Sequence, residues 1–303
     1  MKKALSKFLR RFRPGHSHSS LSTSASPSRD HPRATVSHPH VSASTMASNP
    51  SPSPSPSPSF RGKVALITGA SKGIGKASAI ALARLGATVV INYSSDEQAA
   101  QDALAEVQKL GVGEARLVRA DASSVEGVQS LVKQTVDAYS KIDVLVPNAG
   151  VLPMKDLEHT TEADFDRAFA VNVKGPYFLA QAAAPHMSPG SHIIFLSTSL
   201  TTASTVMPGY LLYNSTKGAV EQMTRVMSKD LGRKGILVNA VAPGPTGTEL
   251  FFRGKSDELL KTIANFSPQG RIGTPEEIAE VIVFLAHSTW VSGQVVRANG
   301  GMA

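Results

Sequence analysis

The chain has 303 residues, with 31 Lys+Arg against 23 Asp+Glu for a net charge of +8, no Cys, and 41% hydrophobic residues. Residues 1–60 alone carry +7, from eight basic side chains and Asp30, so the remainder is nearly neutral at +1. That balance excludes a basic nucleic-acid-binding surface on the remainder, and the missing cysteines exclude disulfides, Cys-ligated zinc and a thiolate nucleophile.

Taken in chain order, the first sixty residues read as a tail. Leu5, Phe8, Leu9 and Phe12 fall at i, i+3, i+4, i+7, a helical stripe among Lys and Arg. A basic amphipathic helix ahead of a Ser-rich stretch fits an organelle presequence for a mitochondrion or plastid. Initiation at Met46 would instead give a cytoplasmic form. Residues 14–59 are rich in Ser, Pro, His and Thr and end in a Ser-Pro repeat. Such a segment has too little apolar surface to order itself and is expected to be disordered. No apolar run has the roughly 18–20 residues needed to cross a bilayer, so no integral membrane segment is expected.

From residue 61 the pattern alternates. Apolar runs at 63–68, 88–92, 116–120, 142–147, 191–197 and 236–242 predict buried strands, with a last strand at 294–297. Helical spacing predicts helices over 74–85, 96–110, 125–139, 162–187, 213–231, 256–264 and 275–286. Seven strands alternating with helices predict one α/β domain over 61–303, a doubly wound Rossmann parallel sheet with helices on both faces. Ligands in such sheets bind beyond the carboxyl ends of the strands.

Residues Thr68-Gly69-Ala70-Ser71-Lys72-Gly73-Ile74-Gly75 form a glycine turn between the first strand and its helix. Gly69 permits the turn, Gly73 lets backbone amides approach a pyrophosphate, and Gly75 allows close helix–strand packing. An NAD site carries an acid about 20 residues on, against the ribose 2′-hydroxyl. Here the second strand ends Asn92-Tyr93-Ser94-Ser95, with no acid at its tip. Lys72, with Ser71 and Ser94, can instead hold a 2′-phosphate. The predicted cofactor is NADP(H).

Tyr213 and Lys217 stand at i and i+4, on one helix face. An ammonium beside a phenol favours the phenolate and lowers its pKa, which suits proton transfer to a carbonyl oxygen. Upstream, the fifth strand ends Leu196-Ser197-Thr198-Ser199, whose hydroxyls could orient that oxygen.

The turn at residues 68–75, Asn148-Ala149-Gly150, Tyr213 to Lys217, and Pro243-Gly244 together resemble the short-chain dehydrogenase/reductase family, over about residues 63–301. The surrounding sequence is similar to that of its NADPH-dependent aldehyde and ketone reductases. The resemblance implies that Tyr213 is the general acid and that Lys217 lowers its pKa and holds the nicotinamide ribose. It implies that Asn172 holds a water in a proton relay, although Asn172 could equally be a structural helix residue. Asp121 and Ala122 would face the adenine, and Asn148, Ala149 and Gly150 would line the cofactor. Pro243, Gly244, Thr246 and Thr248 would hold the nicotinamide end, and Lys174 could lean on the cofactor. The catalytic hydroxyl is assigned to Ser199, 14 residues before Tyr213, with Thr198 as the alternative.

These readings converge on hydride transfer from NADPH to an aldehyde or ketone, with Tyr213 donating the proton. Residues 251–268 would close over the substrate. Leu152, Met154, Met207, Tyr210, Phe251 and Phe252 could form an apolar pocket or ordinary core and subunit contacts. Reduction of a 3-oxoacyl or polyketide intermediate, alcohol oxidation, and a non-catalytic NADP sensor remain open. The expected partner is a small-molecule carbonyl compound, with no nucleic acid and no metal. The resemblance also implies a homotetramer.

Overall fold

The computed structural model describes residues 59–303. The presequence and Ser-Pro readings lie outside the described residues. The fold itself starts earlier than residue 61. The Phe60 ring is 3% exposed, its N–H donates to the Leu85 carbonyl, and it meets His287 edge-on. An aromatic ring directly after a Ser-Pro run thus anchors the chain in the core.

The strands are β1 (Val64–Ile67), β2 (Thr88–Tyr93), β3 (Ala115–Arg119), β4 (Val144–Val146), β5 (His192–Leu196), β6 (Leu237–Pro243) and β7 (Val295–Ala298). They form one parallel sheet in the order β3-β2-β1-β4-β5-β6-β7. The order reverses between β1 and β4, which opens a crevice at their carboxyl ends. Three helices, α1 (Gly73–Arg84), α2 (Glu97–Gln108) and α3 (Val125–Tyr139), follow the first three strands.

Strand periodicity splits the core into two layers. Ala65, Ile67, Val89 and Ile91 face one way and pack with Leu82 of α1, Val107 of α2 and Ile278, Ile282 and Leu285 of α9 (Pro275–His287). Leu66, Val90, Leu145 and Phe195 face the other way. They pack with Leu131 of α3, Leu179 of α5 (Gly175–Ala183) and Val220 of α6 (Leu211–Gly232). Each Val, Leu, Ile or Phe side chain among them contributes about 1.5–3 kcal/mol when fully buried.

Two elements depart from the periodicity. The single helix expected over 162–187 divides into α4 (Glu162–Phe169), a π-helical turn at Ala170–Lys174, α5, and a 3-10 turn at Ala184–His186. Pro176 has no N–H to return to the Asn172 carbonyl four residues earlier, so regular α-helical bonding cannot run through this point. A short helix α7 (Glu249–Phe252) also follows β6, capped by the Thr248 hydroxyl, which accepts from Phe251 N–H at 3.1 Å. Helix α8 (Asp257–Ala264) comes next.

At the opposite end of the sheet from the crevice, Asp143 is pulled up by burial but held below the usual carboxylate range. Hydrogen bonds from Val64 N–H, Lys141 and Lys63 hold it there. Nearby His192 is 6% exposed and its Nδ1 has no partner. Burial, with the charges of Lys63 and His287, pushes its pKa down to about 4. The unfolded chain then binds the extra proton between about pH 4 and 6.5, so stability falls as pH drops through that window. In urea unfolding at pH 4.5 and 7, His192→Leu should shrink that difference by up to about 3 kcal/mol. Parallel pH dependence in the two proteins would contradict the assignment.

Candidate active site

The glycine turn caps the crevice as its sequence requires. Gly73 has a φ of +54°, a left-handed conformation that favours glycine. A Cβ on Gly75 would stand 2.5 Å from both the Asn148 amide nitrogen and the Gly69 carbonyl, so no side chain fits there. Helix α1 begins with no side-chain cap on its first amides. An uncapped N-terminus behind a glycine turn suits a pyrophosphate, and these residues therefore fit a dinucleotide.

The turn is locked from beneath. Asn148 donates its side-chain amide to the carbonyls of Thr68 and Gly69, and the Thr68 hydroxyl accepts from the N–H groups of Asn148 and Ala149. Asn92, at the end of β2, accepts from Gly69 N–H at 3.4 Å and donates to the carbonyls of Val118 and Ala120. It ties the tips of β1, β2 and β3 together. The signal for Asn92 was an amide inside the apolar run TVVINY, which the sequence reading passed over.

Lys72 holds Asp96 at 2.8 Å and Glu249 at 2.9 Å. Those hydrogen bonds, Asp96 first, raise its pKa above the ordinary lysine value. Asp96 also caps α2 by accepting from Ala99 N–H, so it is committed to the helix.

Lys217 and Tyr213 share a face of α6. The helix starts at Leu211, after a 3-10 turn at Pro208–Tyr210, and therefore does not open on Tyr213. The Lys217 ammonium is buried, donates to the Leu196 carbonyl at 2.6 Å, and lies 5.7 Å from the centre of the Tyr213 ring. Burial pushes its pKa down to about 8. The Tyr213 ring keeps an edge on the cleft, yet enough protein surrounds it that desolvation raises the phenol above its ordinary value. A hydrogen bond with the Thr198 side chain works against that rise, and Tyr210 adds to it. Burial, and not the acidifying effect expected of Lys217, sets the direction of the phenol's pKa in this state.

The two hydroxyl candidates have different partners. Ser199 is 1% exposed and its hydroxyl donates to the Ala242 carbonyl at 2.9 Å, tying the loop to β6. Thr198, 7% exposed, lines the same cleft, and its side chain is the one that acts to lower the Tyr213 phenol's pKa. In this state the Ser199 hydroxyl proton is held by the backbone, and both Ser199 and Thr198 line the cleft.

Asn172 sits in the π-helical turn, 1% exposed. Its side chain accepts from Val151 N–H at 2.8 Å and donates to the Val151 carbonyl and the Thr216 hydroxyl. The amide thus clamps the β4 loop to α6 rather than reaching into the cleft.

A cleft of about 430 Å³ joins these groups. Of the expected residues, Gly69, Ser71, Lys72, Gly73, Ile74, Ser94, Asn148, Ala149, Gly150, Pro243, Gly244, Thr246 and Thr248 line it, along with Thr198, Ser199, Tyr213 and Lys217. Thr68, Gly75, Asp121, Ala122, Asn172 and Lys174 lie behind or beside that lining. Asp121 accepts from the Ser123 N–H and hydroxyl, which hold its pKa low, and Lys174 contributes a smaller charge effect. Of the apolar wall, Leu152, Met207, Tyr210 and Phe251 line the cleft. Met154 and Phe252 instead turn outward, each 43% exposed. Leu200, Leu250, Ile263, Phe266 and Met302 complete the wall. No sequence signal marked Met302, because the fold brings the chain end to the cleft. Among the described residues, no cluster of His, Asp or Glu could hold a metal ion.

A sequence model of the family described as enoyl-(acyl carrier protein) reductase matches residues 69–303. Over 257 residues the chain is 39% identical to a hydroxynaphthalene reductase-like protein of Metarhizium anisopliae, covering 80% of this chain and 96% of that protein. It is 38% identical to a short-chain dehydrogenase/reductase of Pestalotiopsis microspora, over 79% of this chain and 95% of that one. A solved Burkholderia cenocepacia short-chain dehydrogenase in complex with NADP superposes with a TM-score of 0.76 at 31% identity, over 80% and 98% of the two chains. The sheet order, the glycine turn and these matches agree: the chain belongs to the short-chain dehydrogenase/reductase family of oxidoreductases.

Proposed function

We propose that the protein is an NADPH-dependent carbonyl reductase. The observation that carries this reading is the convergence of Thr198, Tyr213 and Lys217 on one cleft with the glycine turn. When bound, the cofactor supplies the hydride. Lys72, Ser71 and Ser94 would hold its 2′-phosphate and the amides of the α1 first turn its pyrophosphate. The NADP-bound relative from Burkholderia supports this choice.

The chain's own work is on oxygen. Burial keeps the Tyr213 phenol protonated at neutral pH, so it is loaded as a donor. Thr198 hydrogen-bonds the substrate oxygen and fixes its lone pairs toward that phenol. As the carbonyl carbon gains hydride, its oxygen takes the Tyr213 proton and an alcohol results. The phenolate left behind is stabilised by the Lys217 ammonium over its ring.

The cleft wall of Leu152, Met207, Phe251 and Phe266 suits a flat apolar body. The relatives named as hydroxynaphthalene reductase-like support a hydroxyaryl ketone as substrate. A panel of aldehydes, cyclic ketones and hydroxyaryl ketones, followed by NADPH absorbance, tests the reading. Turnover with at least one is expected, and Tyr213→Phe should lower kcat by at least about 10²-fold while NADP+ binding stays within twofold. No turnover across the panel would refute the reading.

The hydroxyl assignment has its own test. Thr198→Ala should lower kcat by about 10²-fold and Ser199→Ala by far less. The reverse ranking would restore Ser199 to the catalytic position.

A further inference from the structure

We propose that Glu221 is a positioning residue for carbonyl reduction, holding the hydroxyl-bearing segment Thr198-Ser199 in register with Tyr213; this rests on the carbonyl-reductase reading. One carboxylate oxygen of Glu221 accepts from the Ser197 hydroxyl at 2.8 Å and from the Thr201 hydroxyl at 2.7 Å. Those two residues bracket Thr198 in the sequence. Glu221 therefore grips the catalytic segment on both sides of its hydroxyl.

The grip comes from the right helix. Tyr213, Lys217 and Glu221 are spaced i, i+4, i+8 and run along one face of α6. The helix that carries the proton donor and the ammonium thus also fixes the loop that carries the orienting hydroxyl. Without this link Thr198 would depend on β5 and its own short turn. The Thr198 carbonyl lies 2.8 Å from the Thr201 hydroxyl, whose single proton it shares with Glu221.

Glu221 has no competing duty among the described residues. The Lys217 ammonium is satisfied by the Leu196 carbonyl, and Glu221 belongs to none of the ion pairs found there. A half-buried carboxylate with two short hydroxyl bonds and no cation is placed as an acceptor. Its effect is on geometry. A displacement of about 1 Å in an orienting group costs on the order of 10²-fold in rate.

The experiment compares Glu221→Ala, Glu221→Gln and Thr201→Val in the full chain. It reads kcat and KM on a ketone that the wild type reduces, with NADP+ affinity by calorimetry. Glu221→Ala should lose about 10- to 100-fold in kcat with NADP+ affinity within twofold. Glu221→Gln, which keeps an acceptor oxygen, should recover most of the loss, and Thr201→Val should fall between. If Glu221→Ala fails to fold, the Gln and Val variants carry the test: a kcat within twofold of wild type for Thr201→Val overturns the proposal. So does full activity in Glu221→Ala, a Gln variant no better than Ala, or a loss in kcat matched by an equal loss in NADP+ affinity. A wild type that reduces no ketone would instead defeat the parent reading.

Discussion

The site depends on one buried ammonium without a counter-charge. Lys217 lies inside the protein with a backbone carbonyl, that of Leu196, as its hydrogen-bond acceptor, and no carboxylate pairs with it among the described residues. Taking a cation out of water is unfavourable, and the fall of its pKa to about 8 expresses that penalty. The sheet and α6 enforce the position, because Leu196 ends β5 and both elements are packed into the core. The fold therefore stores a positive charge with no counter-ion beside a phenol. A negative charge that appears on that phenol during reaction is met by a cation already in place, with no reorganisation.

The surroundings follow from that placement. Asn172 holds the β4 loop against α6 next to Lys217, from a π-helical turn just ahead of Pro176. Asn148 and Asn92 brace the phosphate turn from below, so their amides serve the scaffold. Lys72 joins the phosphate turn to the segment after β6 through Glu249. Thr248 packs so closely there that a Cβ on Gly73 would stand 3.0 Å from its methyl. The covering segment and the phosphate turn are thus neighbours that touch.

Much of this was legible in the residues. Short continuous apolar runs separated by helical runs marked the seven strands, and glycines placed after β1 marked the phosphate turn. Tyr213 and Lys217 were readable because helical spacing alone puts them on one face. What escaped was whatever depended on side-chain direction. Sequence distance from Tyr213 could not choose between Thr198 and Ser199, since two 3-10 turns intervene at Ser199–Thr201 and Pro208–Tyr210. Both residues lie past the end of β5, where strand alternation no longer sets side-chain direction, and only the fold shows that Ser199 meets the β6 backbone. Glu221 carries no sequence signal, because its partners are twenty and more residues away. Phe60 carries no signal of its burial in the sequence, because the run before it is Ser and Pro.

The central claim is that the Lys217 charge governs proton transfer by Tyr213. The direct measurement is the pH profile of kcat/KM for alcohol oxidation with NADP+, in wild type and in Lys217→Met. Removing the ammonium should move the rising limb, which reports loss of the phenolic proton, to higher pH by a unit or more, on the order of one lost neighbouring charge. A limb that stays in place, with turnover retained, would show that the phenol does not feel Lys217, and the account would fall.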